Sequence, residues 1–256
     1  MLSNFTKPTA SVPLILSAPL SIGNVGALSI DMLVANSSGA KRVAVLQSAF
    51  VAPLVCADAV ALDAHSQQQH IACALELYQV DNAFCLQMRS PIRKGHAAKF
   101  TNELIAWIKE MGFSQVILLT SFDMFKRTDT QIQSGSLLRF FSSLEASSTR
   151  TKCEQKLGWT PLEPFNRPEE MKEGDLFPPE SGLCQKIYDG LVKDPAVECL
   201  VLSWFAPADG FHFQHATGMA KALNELLDLG ANDAWKLPYS WHEAALSSMT
   251  ATSLYT

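Results

Sequence analysis

The chain has 256 residues, of which 48% are hydrophobic and 18% charged, enough apolar matter for one sizeable core or at most two small ones. Against 25 Asp plus Glu stand 20 Lys plus Arg, a net charge of −5 with no basic run interleaved with aromatics, which argues against nucleic-acid binding. No apolar run approaches the roughly 20 residues that span a bilayer, and residues 1–9 carry no basic stretch followed by an apolar one, so neither a membrane role nor a signal peptide is expected.

In chain order, Leu14 to Ser17 reads as a short buried strand. The small-residue turn Ser21-Ile22-Gly23-Asn24-Val25-Gly26 leads into a helix marked by Val25, Leu28, Met32 and Leu33. Asp31 is its only charge, so both faces of this helix are expected to be covered. Ser37-Ser38-Gly39 ends it, and Arg42 to Gln47 is the next strand. Leu75 to Gln79 and Phe84 to Met88 form a hairpin across Asp81-Asn82.

A helix is predicted from about His96 to Met111, with Phe100, Leu104, Trp107, Ile108 and Met111 on one stripe and Gly112 as a left-handed cap. The uninterrupted apolar run Val116 to Leu119 is the pattern of a central parallel strand covered on both faces. Residues 145–182, with five prolines and many charges, read as a variable surface excursion. A short helix through Leu183, Ile187 and Leu191, a strand from Glu198 to Trp204, and a helix from Phe213 to Leu229 stopped at Gly230 complete the body. Trp235-Lys236-Leu237-Pro238 and Trp241 pin the chain back onto it. The alternation of strand and helix patterns predicts an α/β fold: a single domain, residues 1–246, with a mostly parallel sheet flanked by helices, followed by a flexible tail, residues 247–256.

The motifs of chemistry are thin. There is no G-x-S-x-G elbow, and no histidine stands in a recognisable catalytic context, so no catalytic residue is assigned. His212 and His215 share a helix-start face with Asp209 near, yet no further ligand is identifiable, and an ordinary half-buried pair is the better reading. Six cysteines with no C-x-x-C spacing read as buried free thiols of a reducing compartment, so neither metal nor cofactor is expected. The turn Gly23 to Gly26 lacks both phosphate-loop patterns; tight turning and close helix–strand packing account for its glycines. Asp123, Lys126, Arg127 and Asp129 follow the central strand at its carboxyl end, either as a solvated loop or as a protein-contact surface.

The last three residues, Leu254-Tyr255-Thr256, have the form hydrophobic–Tyr–any residue, and such a tail docks by its carboxylate against a Lys and by its ring against apolar walls. Three segments together, SIGNVGALSIDML (21–33), LQMRS (86–90) through VILLTSFDMFKRTD (116–129), and WKLPYSW (235–241), resemble the proteasome assembly chaperone 2 family. The resemblance runs nearly the whole chain in order and fades across 145–182. It implies a nucleoside phosphorylase-like α/β sheet without catalytic use and a heterodimer with proteasome assembly chaperone 1. It further implies a role on the outer face of the 20S proteasome α ring. The expected compartment is the cytoplasm, with the nucleus left open because no basic targeting cluster is present. Leu254, Tyr255 and Thr256 are then expected to enter a pocket between α subunits. The competing expectation is a nucleoside- or phosphate-handling enzyme on the same sheet.

Overall fold

The structure is a computed structural model that describes residues 5–9, 11–19, 21–63, 71–164, 176–178, 181–210, 212–231 and 234–242. Four strands make its centre: β1 (Leu14–Ser17), β6 (Ala83–Met88), β7 (Gln115–Asp123) and β9 (Glu198–Ala206). They run parallel in the order β6-β1-β7-β9. All but a few of their side chains are buried, which is why they read as continuous apolar runs rather than alternating ones. Antiparallel strands flank them: β5 (Leu75–Val80) and β2 (Lys41–Val45) on one side, β8 (Leu138–Ser142) on the other. A separate small ribbon pairs β3 (Val55–Cys56) with β4 (Ala72–Cys73). The result is the expected α/β domain with a mostly parallel central sheet.

Helices cover both faces. α1 (Val25–Asn36) and α6 (Phe213–Leu227) pack together over one, around Ile30, Leu33, Met219 and Leu223. α2 (Ala97–Met111) and α5 (Gly182–Leu191) cover the other, around Phe100, Leu104, Ile187 and Leu191. The stripe Phe100, Leu104, Trp107, Ile108 and Met111 is buried as its spacing requires, and Gly112 takes φ 72° with its N–H on the Ile108 and Lys109 carbonyls. α6 ends two residues before the predicted Leu229, because Asp228 itself adopts the left-handed cap at φ 54° and donates its N–H to Asn224 at 2.7 Å.

The hairpin forms as expected, with Asp81 at φ 48° in the turn. The C-terminal pinning also forms. Trp241 stacks on Phe213 with centroids 5.0 Å apart, and Asn36 exchanges two bonds with the backbone of Lys236, at 2.7 and 2.9 Å. Within 145–182, α4 (Ser148–Thr151) and the wide turn after it carry a fully buried Cys153, and Leu162 and Phe177 are buried too. All six thiols are free; Cys85, Cys153, Cys184 and Cys199 are buried as expected, whereas Cys56 on the β3 ribbon is exposed. Burial pushes the Cys153 and Cys184 thiols up to about 12.

α1 owes its position to charge as well as packing. Asp31 is buried, and Arg89 grips it in a fork, Nη2 to Oδ1 at 2.7 Å and Nη1 to Oδ2 at 2.8 Å. The same guanidinium donates Nε to Glu76 Oε2 at 2.8 Å, and Glu76 also accepts from Arg42 at 2.6 Å and from Tyr78 at 3.2 Å. Burial holds the Asp31 carboxyl above the usual carboxylate range, and the Arg89 fork, with Gln87 a further donor at 2.8 Å, opposes that shift. This network ties α1 to β5 and β6 beneath the sheet's edge.

Candidate functional site

In open α/β sheets ligands bind outside the carboxyl ends of the parallel strands, and that edge is the candidate surface here. β1 leads to α1 on one face and β7 is reached through α2 on the other, so the two adjacent strands open a crevice where the winding reverses. The turn 21–26 closes one side. Gly23 is left-handed at φ 60°, and a Cβ there would fall 2.2 Å from the ring of His212. Gly26 lets α1 lie on β7: its Cβ would stand 3.0 Å from Leu119 Cβ and 3.1 Å from the Leu119 carbonyl oxygen. Both glycines thus serve turning and close packing, and Ser121 Oγ reinforces the turn by donating to the Ile22 carbonyl.

The histidine pair sits behind that turn. The rings of His212 and His215 are 5.7 Å apart, and His215 Nδ1 accepts from Trp204 Nε1 at 3.0 Å. No cluster of three or more metal-ligating side chains occurs among the described residues. Burial lowers both imidazole pKa values, and the neighbouring His212 lowers His215 further. The unfolded chain therefore binds protons more readily than the folded one as pH drops below the ordinary imidazole value near 6.5. Stability contributed by the pair is present above that value and lost as pH falls toward the depressed folded values. Thermal melts between pH 7.5 and 5.5 are expected to show a falling Tm, with a shallower slope in His212→Gln.

The loop after β7 is rigid rather than loosely solvated. Asp123 accepts from the Phe125 N–H, and a capping box joins Thr128 to Gln131 at the start of α3 (Asp129–Gln133). Thr128 and Thr130 both donate to Glu163. From below, the fully buried Arg139 donates to the carbonyls of Gln131, Ser136 and Leu138. This frame holds Phe125 80% exposed in the turn and Ile132 52% exposed on α3, a costly display of apolar surface unless something covers it. Sequence reasoning named the charges here and missed Phe125 between them and Ile132 just after them.

Leu254, Tyr255 and Thr256, and the whole of 243–256, lie outside the described residues.

The PAC2 family profile matches residues 15–176, from β1 through the loop after β7 and beyond. The chain belongs to the PAC2 family. Among PAC2 relatives, proteasome assembly chaperone 2 of Nematostella vectensis is 33% identical over 221 residues, covering 84% of this chain and 88% of that one. Proteasome assembly chaperone 2 of Xenopus tropicalis is 25% identical, covering 87% of each. In fold, this PAC2 chain superimposes on Pyrococcus furiosus PbaA, an archaeal homolog of proteasome-assembly chaperone, with a TM-score of 0.63 at 14% identity over 99% of this chain and 91% of that one. These relatives are named for assembly, not for catalysis.

Proposed function

We propose that this chain is a chaperone of 20S proteasome assembly, acting as a heterodimer with proteasome assembly chaperone 1 to promote α-ring formation and shield the ring face. The observation that carries this reading is the near full-length similarity to proteins named proteasome assembly chaperone 2, including the 33% identical relative. The rigid apolar display of Phe125 and Ile132 supports it: a preset exposed aromatic gives contact area at little entropic cost.

In this reading the body lies on the ring and Leu254, Tyr255 and Thr256 enter a pocket between α subunits. Residues 247–256 reach at most roughly 35 Å when extended, so the pocket need not lie directly beneath the body. Body and tail together raise avidity through effective concentration, by about 10²–10⁴-fold over either contact alone. The site of action is cytoplasm and nucleus.

Purification of the tagged chain from its own cells is expected to bring α subunits and one chaperone of similar size. Deleting Leu254-Tyr255-Thr256 is expected to lower association with α-ring intermediates by at least tenfold while leaving the chaperone dimer intact. Recovery of no proteasome component would overturn the assembly role; undiminished ring binding by the truncated chain would remove the tail from it.

A further inference from the structure

The crevice at the carboxyl ends of β1 and β7 encloses about 340 Å³, a volume suited to a small molecule rather than to a single ion. Its charged lining is of one sign: Arg93 and Lys94 from the loop before α2, and Lys186 from α5, with no carboxylate or imidazole among the described lining residues. The loop that brings Arg93 is held by its backbone, with Arg93 N–H on the Phe50 carbonyl at 2.8 Å and His96 N–H on the Arg93 carbonyl at 3.0 Å.

The opposite wall is the N-terminus of α5, a ten-residue helix whose first-turn N–H groups face outward from a positive dipole end. Ser181 occupies its N-cap position, where a serine ordinarily bonds a first-turn N–H, yet its side chain makes no capping bond. Ser181 is 9% exposed, and its Oγ is buried with no hydrogen-bond partner. Ser21, across the crevice at the start of the turn 21–26, has a second buried Oγ in the same state. A buried hydroxyl without a partner costs about 1–3 kcal/mol in general, and two lining one cationic crevice mark where an acceptor belongs. Ile22 and Leu183 add apolar wall beside them.

We propose that this crevice binds a phosphate group: its oxygens accept from Ser21, Ser181 and the first turn of α5, and its charge is met by Arg93, Lys94 and Lys186. The volume and the apolar wall favour a small phosphate monoester over the free ion. The proposal is of binding alone, and no bond is made or broken. The site is independent of the assembly role, and binding there would brace α5 against the β6–α2 loop.

Isothermal titration and thermal melts of the full chain test this with inorganic phosphate, adenosine monophosphate and adenosine, each against chloride at matched ionic strength. Phosphate and the monophosphate are expected to raise Tm with concentration, and adenosine is not. A monophosphate at least tenfold tighter than phosphate identifies the ester as the natural form; equal affinities identify the free ion, and both support phosphate recognition. Ser181→Ala and Lys186→Met are each expected to weaken binding about tenfold, the loss of one charge-assisted contact. Lys186 is exposed, so its variant keeps the test open should Ser181→Ala fold poorly. Absence of any shift beyond chloride, or a shift that both variants retain in full, overturns the proposal.

Discussion

Arg89→Ala is expected to destabilise the domain by about 3–5 kcal/mol, a large share of the 5–15 kcal/mol that ordinarily holds a domain folded. The guanidinium bridges two carboxylates that have almost no access to water: the side chains of Asp31 and Glu76 are 6% and 0% exposed. Its removal leaves Asp31 with Gln87 alone as side-chain donor, and leaves Glu76 with Arg42 and Tyr78. Asp31 then faces the buried Glu76 without the cation between them, and burial drives the Asp31 carboxyl further toward protonation. A carboxylate whose folded pKa is raised costs stability above its unfolded pKa and stops costing it as pH falls. The deficit of Arg89→Ala relative to wild type should therefore narrow below about pH 5. Urea denaturation at pH 7.5 and pH 5 checks both points; an unchanged midpoint at pH 7.5 would show that the network contributes nothing. Joint replacement of Asp31, Glu76 and Arg89 by apolar residues of similar size is expected to be far milder than the single change, because no charge is left stranded.

Asp31 also shows how far sequence alone reached. A helix with one charge and apolar residues around its circumference is covered on both faces, and α1 is, by the sheet and by α6. The partner of that charge was not legible, since Arg89 lies 58 residues on, at the end of another strand. Central strands and α2 were legible because burial on both faces, or along one stripe, leaves an unmistakable apolar pattern. β8 was not: Leu138-Arg139-Phe140-Phe141-Ser142 has a charge at its second position, and Arg139 is tolerated there only because loop carbonyls fold over it. The tight turning and close packing at Gly23 and Gly26 were legible from local chemistry, while the cationic crevice was invisible because its lining comes from segments scattered between residues 18 and 186. Local rules expose elements; a site assembled from distant loops leaves no periodic trace.

Gly23→Ala is expected to cost about 2–5 kcal/mol, combining two penalties that can be separated. The backbone at φ 60° is left-handed, where an L-residue pays about 1–2 kcal/mol. The added methyl would also fall 2.2 Å from His212 Cδ2 and 2.5 Å from its Cγ, inside any real contact distance. His212 cannot simply swing away: it is 5% exposed, and its ring is flanked by that of His215. Overpacking of this kind costs about 1–3 kcal/mol. In the double variant Gly23→Ala/His212→Ala the clash is gone and only the backbone term remains, beyond what His212→Ala costs by itself. A double-mutant cycle in urea should thus show a favourable coupling of about 1–3 kcal/mol between the two positions. Strict additivity would mean that the turn relaxes around the methyl. The backbone would then move Ser21 and Ile22, and the crevice wall with them, so phosphate binding by Gly23→Ala reports which of the two the turn does.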